Sequence, residues 1–305
     1  MNTLTVKNLR KTFKNVVAVD NVSFTVKKGE IFGLLGVNGA GKTTTINILA
    51  GLLQQDAGTV SILGSDPAKE NEIRNKMNVS TAYFPLSDVL TIRQNLRIYA
   101  KLYGVQNPEE KINELLETFE LTHLAEARIE RLSSGEATRT ALCKGLINDP
   151  EVLLLDECTV GLDPDIAEKT RQAIKAYHER TQCTILFTSH YMYEVEELCE
   201  RIAFMEAGKI VTIASAEELK KTIKKHTVEV TVKNHPEKLH ALLEEKSITV
   251  LHAKQNTIIF EVDWEDEKLY KTLNNIFTKG FHLTNLHVQK PTLDDIFITM
   301  ARRKK

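Results

Sequence analysis

The stretch Gly36-Val-Asn-Gly-Ala-Gly-Lys-Thr43 follows the pattern G-x-x-x-x-G-K-[ST] and decides the fold of this chain. The apolar run Ile31–Leu35 before it predicts a buried strand, and a helix is expected over Gly41–Leu52. Glycines let backbone N–H groups curl around phosphate oxygens, and the helix N-terminus adds a favourable partial charge. We therefore expect a phosphate-binding loop, in which Lys42 reaches the outer phosphates and the Thr43 hydroxyl can ligate Mg²⁺.

A second apolar strand, Val152–Leu155, ends in two acids, Asp156 and Glu157. Ligands of α/β domains bind at the carboxyl ends of such strands. An acid pair at a strand end is a weak signal alone, but downstream of a phosphate loop it is a strong one. We expect Asp156 to hold Mg²⁺ through water and Glu157 to orient or deprotonate an attacking water.

The order of the predicted elements indicates two domains. Strands and helices alternate over the first part of the chain, which is typical of an α/β domain with a mainly parallel sheet. The composition shifts across Ala214–His226, and the elements beyond follow the order βαββαβ of ferredoxin-like domains. A segment that starts at Pro291 predicts a terminal helix. The expected domains are residues 1–220 and residues 221–305.

Composition excludes several classes of protein. The 305 residues carry 40 Lys+Arg against 41 Asp+Glu, and this near-neutral balance argues against a general nucleic-acid binder. The apolar runs are all shorter than the roughly 20 residues that a membrane helix needs, and the N-terminus does not resemble a secretory signal. The 4 cysteines are well separated, so we expect reduced thiols in or near a core. Together these features predict a soluble intracellular protein.

Three further motifs point to one family. Leu132-Ser-Ser-Gly-Glu136 resembles the L-S-G-G-Q signature of ABC-type ATPases, and we call it the signature loop. Gly161-Leu-Asp-Pro164 resembles the D-loop of that family, and Thr188-Ser-His190 resembles its switch-histidine segment. Phe13 lies where the family places an aromatic ring under adenine. The resemblance covers about residues 1–220 and implies a P-loop NTPase fold of ABC type with a helical subdomain.

The small C-terminal region resembles a particular branch of that family. With its Pro291–Ile298 segment, it looks like the extension on ATPase subunits of bacterial drug, antibiotic and ion exporters. In that branch the extension is associated with dimer stabilisation or regulation and carries no catalytic residues.

The resemblance also implies an activity and its residues. Two copies, a homodimer or a paralogue heterodimer, would pack head to tail around two ATP molecules with Mg²⁺. A separate membrane permease would hold the dimer at the cytoplasmic face of the membrane and convert closure into transport. The implied catalytic residues are Lys42, Glu157 and His190, and Ser133 with the N–H of Gly135 would bind the γ-phosphate of the other copy. The implied nucleotide contacts are Phe13, Gly36, Asn38, Gly39, Gly41, Lys42, Thr43, Thr44, Ser133, Gly135 and Asp163.

Several positions depart from the family pattern. Members of the family usually carry a Mg²⁺-binding Gln in one loop, and the corresponding position in this chain falls near Ala82. Gln94, further along the chain, is instead expected to be an exposed helix residue. Glu136 stands where Gln is usual, either as a negative charge near the ATP-facing loop or pointing away in the first helical turn. Ser134 is a small substitute for Gly, and Cys158 replaces the usual Pro as a packing substitution.

Two other functions remain open at this point. The first is an ABC ATPase that acts on ribosomes or DNA. Ribosome-acting members usually carry two phosphate loops, DNA-repair members carry long coiled coils, and neither feature is present in this sequence. The second is a nucleotide-dependent regulatory module that hydrolyses ATP poorly. The departures from the family pattern at Ala82 and Glu136 suggest this alternative.

Overall fold

A computed structural model describes residues 1–81, 86–222, 225–263, 266–289 and 292–293. The chain divides into two compact units, residues 1–215 and residues 216–305. The strands of the first unit are β1 (Asn2–Phe13), β2 (Val16–Lys27), β3 (Ile31–Leu35), β4 (Ala57–Ile62), β5 (Met77–Thr81), β6 (Val152–Asp156), β7 (Thr184–Ser189), β8 (Arg201–Glu206) and β9 (Lys209–Ala214). Its helices are α1 (Lys42–Leu49), α2 (Asn71–Arg74), α3 (Ile92–Leu102), α4 (Pro108–Thr118), α5 (Ser134–Leu146), α6 (Pro164–Thr181) and α7 (Met192–Leu198).

Six strands form the main sheet, in the order β5-β6-β7-β3-β8-β9. The first five run parallel, and β9 returns antiparallel to β8 after the turn at Ala207-Gly208. All residues of β3, β6 and β7 are buried, which explains their continuous apolar character. The prediction of a mainly parallel sheet is confirmed, and the carboxyl ends of β3, β6 and β7 lie side by side.

The first two strands do not join this sheet. They form a separate antiparallel sheet with β4, in the order β2-β1-β4. One apolar core joins both sheets, and Phe24 of β2 stacks on Phe32 of β3 with ring centroids 5.4 Å apart. Alternation along β1 and β2 predicts strands but not their pairing, because pairing depends on contacts distant in sequence.

Three helices form a helical subdomain between β5 and β6. Leu96 of α3, Ile112 and Leu115 of α4 and Leu142 of α5 are fully buried. The edge strand β5 is absent from the predicted elements, because three residues of its sequence Met-Asn-Val-Ser-Thr are polar. Asn78 is nevertheless buried there, and its amide donates to Gly145 O at 2.7 Å and to Asn148 Oδ1 at 2.6 Å.

The second unit begins with α8 (Ala216–Thr222) and continues as β10 (Lys225–Val232), α9 (Pro236–Glu245), β11 (Thr249–Lys254), β12 (Thr257–Asp263), α10 (Asp266–Thr278) and β13 (Leu283–Gln289). Its four strands pair antiparallel in the order β11-β12-β10-β13. Val228, Val230 and Phe260 form its core together with Leu239 and Ile276 of the two helices. The predicted ferredoxin-like arrangement is therefore confirmed. The helix predicted from Pro291 lies almost wholly outside the described residues.

The four cysteines, Cys143, Cys158, Cys183 and Cys199, are free and buried. Burial raises the pKa of the Cys158 thiol well above its usual range and that of Cys183 to about 12, so these thiols stay protonated and inert at neutral pH. None of the described helices is long and apolar enough to cross a membrane.

Candidate functional site

The phosphate loop connects β3 to α1, and two of its glycines have no room for a side chain. Gly41 has φ +105°, and a Cβ there would come within 2.4 Å of Ala18 O. A Cβ on Gly36 would come within 2.3 Å of Met205 O. Asn38 and Gly39 at the tip are exposed, with φ +81° at Gly39. The base of the loop therefore packs tightly against Ala18 and Met205, whereas its tip is exposed to solvent.

Lys42, the first residue of α1, is buried and reaches back into the loop. Its Nζ donates to Gly36 O at 2.7 Å and to Val37 O at 3.3 Å. The same ammonium lies 3.0 Å from Glu157 Oε1. Thr43 beside it is exposed and Thr44 is half-buried, so both are accessible at the start of α1.

The two acids lie at the carboxyl end of β6 and are fixed by the neighbouring strand. Thr188 of β7 donates its hydroxyl to Asp156 Oδ1 at 2.6 Å. The N–H of Glu157 bonds to the carbonyl of Thr188 at 3.2 Å and to its hydroxyl at 3.1 Å. Glu157 has φ +50°, an uncommon conformation for a residue with a side chain, and such conformations cluster at functional sites.

His190 follows β7 directly and faces the same carboxylate as Lys42. Its Nδ1 lies 3.7 Å from Glu157 Oε1, and its side chain is 26% exposed. The ring packs against Tyr191 with centroids 4.1 Å apart. The structure thus brings together Lys42, Asp156, Glu157 and His190, four residues selected from the sequence, at adjacent strand ends.

The signature loop lies at the start of α5 and forms a capping box. The Glu136 carboxylate accepts from the N–H of Ser133 at 2.8 Å, and the Glu136 N–H donates to Ser133 Oγ at 3.4 Å. The N–H of Ser133 is the main cause of a lowered pKa for the Glu136 carboxyl. Of the two orientations left open by the sequence, Glu136 therefore adopts the one in the first helical turn.

Gly135 lies where α5 approaches Ile166 of α6. Gly135 is buried, and a Cβ there would lie 2.9 Å from Ile166 Cγ2. Asp163 is exposed as the residue before α6. In the described part of the chain, Ser133, Gly135 and Asp163 make no hydrogen bond or ion pair with Lys42.

Phe13 ends β1 and is 45% exposed, beside the exposed Val16 that begins β2. Ala18, two residues further along β2, is the residue that faces Gly41 of the phosphate loop. The end of the β1–β2 hairpin that carries Phe13 is therefore followed in β2 by Ala18, which contacts the phosphate loop. Ala82 lies outside the described residues. Gln94 is the third residue of α3 and caps its start with Thr91, which is a structural role.

A near full-length relative establishes the family. The chain is 32% identical over 308 residues to the linearmycin resistance ATP-binding protein of Bacillus subtilis, and the match covers 98% of both chains. Residues 19–160 match the ABC transporter family, and residues 215–301 match the C-terminal domain of DrrA1-3-like ATP-binding proteins. The chain belongs to the ATP-binding proteins of ABC transporters.

Other relatives of this ABC protein agree. It is 32% identical over 310 residues to the doxorubicin resistance ATP-binding protein DrrA of Mycobacterium tuberculosis, a match that covers 97% of this chain and 92% of that one. It is 39% identical over 206 residues to a Nod factor export ATP-binding protein of Burkholderia lata, which covers 67% of each chain.

Solved structures show the same fold. An ATP-binding subunit of an ABC transporter superposes with a TM-score of 0.66 at 25% identity and covers 72% of this chain and 92% of that one. A dimeric ATP-binding cassette bound to ADP and phosphate superposes with a TM-score of 0.63, also at 25% identity, and covers 70% of this chain and 98% of that one. The resemblance inferred from the motifs is thereby confirmed.

The ABC protein also has a buried polar group beside the site that the motifs do not include. Glu194 of α7 is fully buried and contacts Thr159, Ser189 and Arg171. Its only signal in the sequence is an acid in the first turn of α7, between the apolar residues Met192 and Val195. That signal is too weak to separate it from Glu196 and Glu197 of the same helix.

Proposed function

We propose that this ABC protein hydrolyses ATP and that ATP-driven closure of its dimer powers a separate membrane permease for export. The proposed hydrolysis is supported by one observation. Four side chains converge at adjacent strand ends, those of Lys42, Asp156, Glu157 and His190. Export as the direction is supported by the resistance and export proteins among its relatives and by the DrrA-like domain over residues 215–301.

Lys42 is the proposed ligand of the outer phosphates. Its ammonium is shared between loop carbonyls and the Glu157 carboxylate, 3.0 Å away. A triphosphate brings more negative charge than one carboxylate, so it competes successfully for this ammonium. Nucleotide binding would then release Glu157 from Lys42 and make the carboxylate available for the attacking water.

Thr43 and Asp156 would hold Mg²⁺. The hydroxyl and carboxylate oxygens are ligands that Mg²⁺ prefers, and Thr188 fixes Asp156 by occupying Oδ1. When bound, the ion neutralises phosphate charge that develops during the reaction. The chain's own contribution is the orientation of Asp156, which the Thr188 hydroxyl supplies.

Glu157 and His190 are the proposed catalytic pair. The Glu157 carboxylate would orient the attacking water and accept its proton, and His190, 3.7 Å from that carboxylate, would contact the γ-phosphate. Both residues follow directly after strands packed against each other, so the sheet sets their separation.

The signature loop is the proposed contact to a second copy. Ser133 is exposed, whereas Gly135 is buried against α6, so the loop offers its hydroxyl and helix N-terminus outward on a rigid base. The resemblance assigns these groups to the γ-phosphate held by the other copy. A relative of this fold is dimeric with ADP and phosphate, which supports a homodimer or a paralogue heterodimer. The DrrA-like domain would stabilise or regulate that dimer.

An exposed apolar face on the helical subdomain supports a permease partner. Ile98 and Leu102 lie one turn apart on α3 and are 46% and 72% exposed, and Val89 before the helix is 66% exposed. Grouped exposed apolar side chains mark surfaces that bind other proteins. Docked there, the chain would sit at the cytoplasmic face of the membrane.

Replacing Ile98 and Leu102 by Asp tests the permease contact. We expect the membrane-bound fraction of the tagged full-length chain in its own cells to fall severalfold, because buried carboxylates oppose docking. Lys101→Asp on the same helix is the control and should leave the fraction unchanged. Equal membrane association of all variants would contradict docking through this face.

The hydrolysis itself is tested by phosphate release from ATP with the purified full-length chain. We expect release in Mg²⁺ and its loss when the divalent cation is chelated. A chain that binds ATP but releases no phosphate, even with its permease in membranes, would instead favour the weakly hydrolysing module. The contacts of Glu136 speak against that alternative, since its carboxylate is held by the N–H of Ser133.

A further inference from the structure

The carboxylate of Glu194 is the most deeply buried charge beside the proposed site. The side chain is 0% exposed, yet it is fully provided with hydrogen-bond donors. Its Oε2 accepts from Ser189 Oγ at 2.6 Å and from Thr159 Oγ1 at 2.8 Å. Its Oε1 lies 3.4 Å from Nη1 of Arg171, itself buried. A buried charge is costly unless it is paired and hydrogen-bonded, and these contacts meet that condition.

The three partners of Glu194 belong to three separate segments. Thr159 lies in the turn that follows Glu157, two residues away, and Ser189 immediately precedes His190. Arg171 lies on α6, whose start follows Asp163. One carboxylate thus ties together the segments that carry the proposed base, the proposed γ-phosphate contact and the D-loop.

The charge of Arg171 is also neutralised by a second carboxylate besides Glu194. Its Nε lies 2.5 Å from Oε2 of Glu197, which is 37% exposed on the same helix α7, and its guanidinium packs over the Tyr193 ring. Besides Arg171, Glu194 contacts the two neutral hydroxyls of Thr159 and Ser189. The Ser189 oxygen also accepts the Tyr191 N–H at 2.9 Å, while its hydroxyl proton is donated to Glu194.

We propose that Glu194 is a positioning residue for ATP hydrolysis, which fixes the turn of Glu157 and the segment of His190 relative to each other. The inference rests on the proposed function. Glu157 adopts φ +50°, so its placement depends on bonds that hold the surrounding turn. Thr159, two residues after Glu157, supplies one such bond by donating its hydroxyl to Glu194. Small displacements of catalytic groups reduce reaction rates strongly, so loss of this bond should slow hydrolysis.

The test is the steady-state kinetics of the full-length Glu194→Gln chain. We expect kcat for ATP to fall by about tenfold while KM for ATP and the affinity for a non-hydrolysable analogue change by less than about twofold. Glu197→Gln is the matched control, because it removes a carboxylate from the same helix and from the same arginine. It should leave kcat unchanged.

Two smaller substitutions keep the test decisive if Glu194→Gln does not fold. Thr159→Val and Ser189→Ala each remove one donor to Glu194, and each should lower kcat severalfold at unchanged KM. Unchanged kcat in both variants, or an equal loss in Glu197→Gln, would overturn the positioning role. A wild-type chain without turnover would defeat the proposed function, whereas wild-type turnover that survives Glu194→Gln defeats this inference alone.

Discussion

Substituting Glu157 by Gln is expected to reduce ATP turnover by about a hundredfold or more, since general bases contribute on this scale. The amide keeps the size of the side chain but cannot accept the proton of the attacking water. It also removes the negative charge that competes with phosphate for Lys42, 3.0 Å away, so ATP affinity should be retained or increased. Phosphate release and equilibrium nucleotide binding measure the two effects separately.

Glu151→Gln is the matched control for this substitution. Glu151 precedes the same strand at its opposite end, and its carboxylate pairs with Lys76 on the surface at 3.2 Å. It should leave turnover unchanged. Wild-type turnover in Glu157→Gln would remove Glu157 from its proposed role as base.

Substituting Lys42 by Ala is expected to weaken ATP binding by about a hundredfold, because charge-assisted hydrogen bonds to the outer phosphates are lost. Turnover should become undetectable at ordinary ATP concentrations. The substitution also leaves the Glu157 carboxylate, 25% exposed, without the cation beside it, which adds repulsion toward phosphate. Titration with a fluorescent ATP analogue gives the affinity.

A surface lysine provides the comparison for Lys42. Lys169 on α6 pairs with Glu120 at 2.9 Å and is half-exposed, so Lys169→Ala should bind ATP normally. ATP affinity that survives Lys42→Ala in a chain with an unchanged melting temperature would place the phosphates elsewhere.

The elements closest to the phosphate chemistry were predictable from sequence because their pattern is local. The loop around Lys42 and the acids after Val152–Leu155 each occupy a few consecutive residues, and their strands are continuous apolar runs. The order βαββαβ of the second unit was predictable for the same reason, since each strand alternates or ends at a turn. Local order was sufficient to infer a fold because few topologies are compatible with it.

Features that depend on distant contacts were not predictable. Asn78 is buried in β5 only because Gly145 and Asn148, far along the chain, accept its amide protons. Glu194 and Thr159 are likewise separated by 35 residues. The pairing of β1 with β4 requires a chain reversal through the phosphate loop and α1, and periodicity carries no information on it.

In the proposed mechanism, ATP binding joins two copies of this chain and hydrolysis separates them. It is tested most directly by sedimentation velocity of the full-length Glu157→Gln chain with Mg²⁺ and either ATP or ADP. We expect dimers with ATP and monomers with ADP, because the proposed bridge between the phosphate loop of one copy and Ser133 of the other requires the γ-phosphate. Monomers in both nucleotides, or the same dimer in both, would contradict it.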